Sequence, residues 1–184
     1  MRYLLLAMLV VVFGGLTQGA AANQKDRRLS GLFDRLKVTQ SEIEARAIEA
    51  DIWRIWSESE DGEAAALLRR GTEAMGNGDL PQALAVFNAV VKRRPDFAEG
   101  WNKRATVYFL MEDFEASVAD IEKTLELEPR HFGALSGLGQ IDLALGRKAA
   151  AIKVFAAALE IDPHLRGVKA ALDALKKEGE GNPT

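Results

Sequence analysis

The sequence lacks cysteine altogether and has only two histidines among its 184 residues. Without cysteine there is no disulfide, no thiol nucleophile, no thiolate metal site and no lipid attached through an N-terminal cysteine. Two histidines leave little for metal binding or general-base chemistry, so we expect no catalytic residue, no metal ion and no cofactor. His131 and His164 fall in connecting turns, where we expect both side chains to be exposed.

The sequence also lacks an excess of positive charge, since it has 24 Lys and Arg residues and 27 Asp and Glu residues. The formal net charge of −3 provides no basic field for the phosphate backbone, so we expect no nucleic-acid partner. Phosphate-binding loops and the glycine fingerprint of dinucleotide sites are absent as well. An enzyme with an unrecognised, carboxylate-based site is therefore the least favoured function.

The longest apolar run is short and lies at the N-terminus, from Leu4 to Phe13. A helix that spans a bilayer needs about 20 apolar residues, which this run does not reach. Arg2 precedes it, and Gly14-Gly15 and Ala20-Ala21-Ala22 follow, which is the three-part pattern of a secretory signal peptide. We predict a signal peptide over residues 1–22, with retention as an anchor as the alternative. Membrane contact is then expected only before cleavage, and the location is the periplasm of a Gram-negative bacterium, or outside the cell otherwise.

Five sets of residues recur at a spacing of 34 over most of the remaining chain. They are Pro95, Pro129 and Pro163; Gly71, Ala105 and Gly139; Ala83, Ser117 and Ala151; Phe87, Ile121 and Phe155; and Leu67, Trp101 and Leu135. Each period holds two helical stretches with small residues where they approach, and proline ends the unit because it cannot continue a helix. The pattern resembles the tetratricopeptide repeat. The repeats are predicted at 64–97, 98–131 and 132–165.

The resemblance implies an all-α fold, a right-handed superhelical stack of helix-turn-helix hairpins with about nine helices and no strand. Residues 23–63 lack the proline, glycine and small residue of a repeat, and we interpret them as a degenerate helical hairpin. We expect this N-terminal cap to cover the apolar face of the first repeat and residues 23–27 to be loose. Trp53 and Trp56 are expected to pack, with a ligand platform as the alternative. Residues 166–184 are predicted to form a capping helix and a loose tail.

The resemblance also implies a non-catalytic scaffold for protein–protein interaction, whose first helices line a concave groove. Carried over residue by residue, the groove positions are Arg69, Thr72, Met75, Glu99, Asn102, Lys103, Thr106, Phe109, Ser136, Gln140 and Leu143. This mixture of polar and apolar side chains suits an extended peptide or a helix. We expect the partner to be another envelope protein or peptide, bound mainly at Arg69, Asn102, Lys103 and Phe109 as exposed positions.

One activity of the resembled family does not carry over. Its chaperone cofactors clamp a terminal carboxylate with lysine and asparagine on the first helix and two further cations in the third repeat. The corresponding positions here hold Leu68, Thr72, Ser136 and Gln140, and only Asn102 and Lys103 remain suitable. The sequence therefore predicts no carboxylate clamp.

Two other binding modes stay open. The chain could self-associate through a repeat face, which makes a homo-oligomer an alternative to a scaffold. The middle repeat carries an acidic excess that includes Glu122 and Glu126 on its second helix, so a basic partner on the convex face is a further alternative. Within the same repeat, Arg104 stands where Leu138 is apolar, and we predict that it pairs with Asp120 because a buried charge needs a partner.

The signal-peptide hypothesis predicts a defined mature N-terminus. Signal peptidase should cut after Ala22, so N-terminal sequencing of the exported protein should begin at Asn23. A full-length product that remains in the membrane fraction would contradict cleavage and indicate an anchored protein.

Overall fold

A computed structural model describes residues 23–180, which form nine α-helices after a short 3₁₀ helix and contain no β-strand. The 3₁₀ helix is Asn23–Lys25, and the α-helices are α1 Arg28–Val38, α2 Glu42–Ser57, α3 Gly62–Gly76, α4 Leu80–Arg93, α5 Ala98–Leu110, α6 Phe114–Leu127, α7 Phe132–Ala144, α8 Lys148–Ile161 and α9 Arg166–Glu180. The predicted all-helical repeat solenoid is confirmed. The predicted signal peptide and tail residues 181–184 lie outside the described residues. Within those residues, no helix combines the length and hydrophobicity needed to cross a bilayer.

Each repeat is a helical hairpin whose two helices approach closely at a glycine or alanine of the first helix. A Cβ built on Gly71 of α3 would lie 2.5 Å from the ring of Phe87 on α4. Gly139 of α7 meets Phe155 of α8 in the same way. In the middle repeat the contact is polar, since Ser117 Oγ donates to the Ala105 carbonyl at 2.8 Å. The small residues at this register therefore set the separation of the paired helices, as predicted.

The turns between paired helices share one backbone conformation. Gly78, Glu112 and Gly146 stand 34 residues apart and all have positive φ, at 78°, 61° and 71°. Glycine adopts this conformation without steric cost, whereas Glu112 carries a side chain into it. Asp79 and Asp113 then cap the following helices, accepting from the backbone N–H of Gln82 and Ala116. The turns are thus specified locally and keep the repeats in register.

Helix α9 closes the C-terminal end of the stack, as predicted. Val168, Leu172 and Leu175 lie on one face of the helix and are buried. They form a hydrophobic cluster with Ala151, Phe155 and Ala158 of α8. The helix therefore covers an apolar surface that the third repeat would otherwise leave open.

The N-terminal hairpin, formed by α1 and α2 together with the 3₁₀ helix that packs on α2, does not lie where we predicted. Its apolar side chains form a core of their own that includes Phe132 of α7, with Ile161 and Leu165 packed against it. The core of the first repeat contains no residue of either helix. The expectation that this hairpin covers the first repeat is wrong, because its large aromatic side chains pack around Phe132, beside the second and third repeats.

The hairpin crosses the turns that join successive repeats, and it contacts three positions that are 34 residues apart. Gln24 Nε2 donates to the Asp96 carbonyl at 2.6 Å, the Arg130 guanidinium lies 4.5 Å from the Phe33 ring centroid, and His164 Nε2 donates to the Leu36 carbonyl at 3.1 Å. Gln24 is buried, so the prediction that residues 23–27 are loose is wrong at this residue. The hairpin thereby ties three turns together.

The ion pair predicted within the middle repeat is confirmed. Arg104 Nε and Nη2 each lie 2.7 Å from a carboxylate oxygen of Asp120, whose side chain is only 5% exposed. Arg104 also lies over the Trp101 ring and donates to Asn88 Oδ1 on α4. Hydrogen bonding to Asp120 raises the pKa of Arg104, so the guanidinium is held charged. The pair therefore links α5 to both neighbouring helices.

Breaking this pair should destabilise the fold more than breaking an exposed one. Arg104→Ala leaves the Asp120 carboxylate buried without its partner, and we expect a loss of about 3 kcal/mol in the free energy of unfolding. Urea denaturation of Arg104→Ala beside Arg35→Ala, whose pair with Glu44 is exposed, provides the measurement and the control. A loss below about 0.5 kcal/mol for Arg104→Ala would show that the pair contributes no more than a surface contact.

Candidate protein-binding groove

The predicted groove residues fall into three groups: some are accessible, some are covered by other side chains, and some pack in the hydrophobic core. On α3, Arg69 and Thr72 are exposed, whereas Met75 packs against the core of the first repeat. Leu143 on α7 likewise packs against the cluster formed by α8 and α9. The remaining predicted residues lie on α5 and α7, and the structure divides them between an open cavity and a buried polar cluster.

Between α5 and α7 lies an open cavity of about 290 Å³. Its wall includes five of the predicted groove residues, namely Asn102, Thr106, Phe109, Ser136 and Gln140. The apolar part of its lining includes Ala105, Ile121 and Ile141. Thr106 and Ser136 each donate their hydroxyl hydrogen to a carbonyl of their own helix, so each oxygen is left as an acceptor. The cavity thus combines an apolar floor with polar groups at its side.

At one end of this cavity a carboxylate is completely buried. The Glu99 side chain has no exposed surface, and its Oε2 accepts from Asn102 Nδ2 at 2.9 Å. Lys103 Nζ lies 3.3 Å from Oε1 of the same carboxylate. Asn102 is only 7% exposed, so the expectation that Asn102 and Lys103 are free groove positions is wrong. They neutralise and orient Glu99, which would otherwise be a buried charge without partners.

His131 completes this cluster and is itself fully buried, which corrects the expectation that it is an exposed turn residue. Its Nδ1 accepts a hydrogen bond from the Ala134 backbone N–H at 3.1 Å and so caps the start of α7. With Nδ1 acting as acceptor, the ring proton is on Nε2, which lies 3.1 Å from Glu99 Oε2 and donates to it. The imidazole therefore joins the cap of one repeat to a carboxylate in the preceding one. His164 is half-buried rather than exposed.

Two tryptophans of α2 cover this cluster. The Trp56 ring stacks on His131 with centroids 4.2 Å apart and planes at 10°, and Trp53 meets the same imidazole edge-on at 5.4 Å. A Cβ built on Gly133 would lie 2.5 Å from the Trp53 ring, so only glycine admits this side chain here. Trp56 is 2% exposed, which confirms that it packs. Helix α2 thus closes one end of the concave groove.

A second cavity, of about 630 Å³, lies where the N-terminal hairpin meets the start of α9. It is lined by charged and polar side chains that include Glu42, Arg46, Glu49 and Lys169. Burial raises the pKa of Glu49, and nearby Asp162 raises it further. Among the described residues, no group of three His, Asp or Glu side chains is placed to hold a metal ion.

Comparison with known proteins identifies the repeats. The profile of the tetratricopeptide repeat (TPR) matches residues 68–111 and 103–165, more than half of the chain. A TPR repeat-containing protein of Rhizobium etli is 33% identical over 167 residues, which cover 91% of this chain and 82% of that protein. The chain belongs to the tetratricopeptide repeat family. TPR proteins are generally non-catalytic modules for interaction with other proteins.

Other TPR proteins match a smaller part of the chain. The Hsp70-Hsp90 organizing protein of wheat is 29% identical over 114 residues, which cover 62% of this chain but only 20% of that protein. Among solved structures, the TPR2B domain of yeast Sti1 has a TM-score of 0.59 at 22% identity and covers 62% of this chain and 97% of that one. The first TPR of Spaghetti (RPAP3) with an HSP90 peptide has a TM-score of 0.60 at 21% identity, covering 62% and 91%. At these identities the structures establish the fold alone.

Sequence reasoning missed the residues that close the groove of this TPR protein. Trp53 and Trp56 were assigned to packing, but their seat on His131, Phe132 and Gly133 was not predicted. A signal was present in Gly133, because Glu99 occupies the same repeat position one period earlier and glycine is unfavourable within a helix. Glycine where no turn requires it indicates that another group approaches closely.

The buried carboxylate makes the stability of this TPR domain depend on pH. Burial by itself raises the pKa of Glu99, but the His131 hydrogen bond and the charge of Lys103 outweigh it and hold the pKa below its ordinary value. A carboxyl with a lowered pKa stabilises the fold fully above its ordinary pKa of about 4.3, and this contribution is lost as the pH falls through the folded value.

Glu99→Gln should therefore flatten the dependence of stability on pH between about pH 5 and pH 3. The amide oxygen can still accept from His131, whereas the charge that responds to acid is gone. Urea denaturation at several pH values measures the effect, and Glu122→Gln on the exposed face of α6 is the matched control. An unchanged pH profile in Glu99→Gln would mean that Glu99 does not carry the acid sensitivity.

Proposed function

We propose that this TPR protein is a non-catalytic scaffold that binds a peptide or helix of another protein in the groove between α5 and α7. The observation that carries the proposal is the open cavity of about 290 Å³, where five groove residues of the second and third repeats meet. Thr106, Phe109 and Gln140 are accessible there, whereas Asn102 is covered. The binding surface that we propose is therefore displaced from the first two repeats toward the third.

The lining of the cavity indicates the kind of ligand. Phe109, Ile121 and Ile141 form an apolar floor large enough for a partner's hydrophobic side chain. Polar groups of Thr106, Ser136 and Gln140 stand beside it, where they suit the backbone amides of an extended peptide or polar side chains of a helix. An apolar anchor surrounded by polar contacts is the arrangement that concentrates binding energy in protein interfaces.

An acidic chaperone tail is not the ligand that we propose. The two solved structures compared above are named for an Hsp70 complex and an HSP90 peptide. In this chain the positions of the carboxylate clamp hold Leu68, Thr72, Ser136 and Gln140, none of which is a cation. Lys103 is already paired with the buried Glu99 carboxylate. A terminal carboxylate would thus find no free positive charge at these positions.

We further propose that the protein is exported and that its partner is another protein or peptide of the bacterial envelope. The support is the sequence pattern of residues 1–22, with its basic start, apolar run and small residues before Asn23. The absence of cysteine is compatible with an oxidising compartment, because no thiol is available to form unwanted disulfides.

Crosslinking in cells tests both the site and the partner. A photo-crosslinking residue at Thr106 should capture a partner protein, whereas one at exposed Ala119 on α6 should not. Gly137 lines the cavity, and a Cβ there has ordinary contacts, so Gly137→Leu should fill the cavity without disturbing helix packing. We expect capture to fall at least about tenfold, the loss of one anchor.

The matched control is Ala119→Leu, which adds the same side chain at an exposed position of α6, the second helix of the middle repeat, and should leave capture unchanged. Self-association would appear as capture of a second copy of the chain. If Gly137→Leu leaves capture intact while Glu122→Lys with Glu126→Lys abolishes it, the partner binds the acidic convex face and the groove assignment is wrong.

A further inference from the structure

The N-terminal hairpin occupies one end of the groove, and the contacts that it makes define a second binding surface. This surface consists of Glu99, Asn102, Lys103, His131, Phe132 and Gly133, beneath Trp53 and Trp56 of α2. We propose that it is a helix-binding site in which α2 is a resident intramolecular ligand, and that a partner helix carrying two aromatic side chains on one face displaces the hairpin. The inference rests on the proposed function, since it specifies the partner of the same groove.

The chemistry of the partner follows from what the site already accepts. Trp56 lies flat on the buried imidazole, and Trp53 lies edge-on to both His131 and Phe132 with its ring against Gly133. Lys103 Nζ is 5.7 Å from the Trp53 ring centroid, within range of a cation–π contact. A ligand that reproduces these contacts needs two large aromatic side chains three residues apart on an amphipathic helix.

The interface between the hairpin and the repeats contains buried polar atoms without a hydrogen-bond partner. Trp56 Nε1, Gln24 Oε1 and Asp162 Oδ2 are buried there without a hydrogen-bond partner. Such unpartnered groups destabilise the docked state, because they form hydrogen bonds with water when the interface opens. Burial raises the pKa of Asp162, although its other oxygen accepts a hydrogen bond from the His164 backbone N–H.

The polar links that hold the hairpin down are mostly exposed. The Glu42–Arg166 ion pair joins α2 to the start of α9, and both side chains are more than 60% exposed. Exposed ion pairs contribute little to stability. Two further links are single hydrogen bonds to backbone carbonyls: Gln24 donates to Asp96 in a turn, and His164 donates to Leu36 near the end of α1. Docking therefore depends mainly on apolar contacts, and a competing helix can replace the aromatic ones to His131, Phe132 and Gly133.

The proposed site continues directly into the open cavity. Asn102 and Gly133 belong to the surface beneath α2 and also line the cavity between α5 and α7. A partner bound in the cavity is thus adjacent to the edge of the hairpin, and extending it by one or two helical turns would bring its side chains to Trp53. The cavity is the accessible entry point, and the covered surface adds contacts when the hairpin leaves.

The chain's own α2 sequence serves as the test ligand. The probe is a fluorescently labelled synthetic peptide of residues 41–58, and the receptor is the full mature chain with Trp53→Ala and Trp56→Ala. Removing both rings weakens the intramolecular ligand and leaves the surface beneath it intact. Fluorescence anisotropy should show saturable binding to this variant, and at least tenfold weaker binding to the unsubstituted chain, whose tethered α2 competes.

Two controls make the site specific. The peptide with both tryptophans replaced by alanine should not bind. Adding Gly133→Ala to the receptor should abolish binding, because the new methyl group occupies the position of the Trp53 ring, whereas Gly76→Ala at an open position of α3 should not. Circular dichroism verifies folding, and Trp53→Ala alone serves as the receptor if the double variant is not helical.

Equal binding to the variant and the unsubstituted chain, no binding to a folded variant, or binding that ignores Gly133→Ala would each overturn the inference. These results are separate from the test of the proposed function. If Thr106 captures a partner but the peptide does not bind, the scaffold function is supported and displacement of the hairpin is rejected. If the peptide binds but Thr106 captures no partner, the helix-binding site is supported and binding of the partner in the cavity is rejected.

Discussion

The structure depends on how closely the two helices of each repeat approach at Gly71, Ala105 and Gly139. A side chain at Gly71 or Gly139 would overlap a phenylalanine of the paired helix. Because this contact recurs every 34 residues, each hairpin has the same shape, and the first helices lie side by side to form one groove. The groove is therefore a consequence of small residues on the face where each first helix packs against its paired helix.

The same repetition determines what the N-terminal hairpin can contact. Asp96, Arg130 and His164 occupy one position in three successive turns, so a helix laid across them meets an equivalent group at each step. The chain uses a carbonyl, a guanidinium and an imidazole there, each matched to a different group of the hairpin. The repeats provide a regular backbone, and substitutions at one register make the docking of this hairpin specific.

Sequence reasoning succeeded where the information is local or periodic. Proline, glycine and aromatic positions repeated at 34 identify the helices and their pairing, and the Arg104–Asp120 pair follows from one charge at an otherwise apolar register. It failed where two distant segments meet. Nothing near His131 indicates that a tryptophan 75 positions earlier covers it, so a turn histidine was expected to be exposed. Asn102 and Lys103 were misjudged for the same reason.

The position of α2 determines which ligands the groove can accept. A concave surface that is open along its length offers the same contacts to any extended chain, and selectivity must then come from side chains alone. Here one end is filled by two tryptophans on a buried imidazole, and the other end stays open between α5 and α7. A ligand that uses only the open end binds without reorganising the protein. A ligand that also needs the covered end must supply contacts equal to those of α2. The reason is that a ligand shifts the equilibrium between the docked and the displaced hairpin only by the difference in its affinity for these two states. The filled end thus selects for partners that resemble α2.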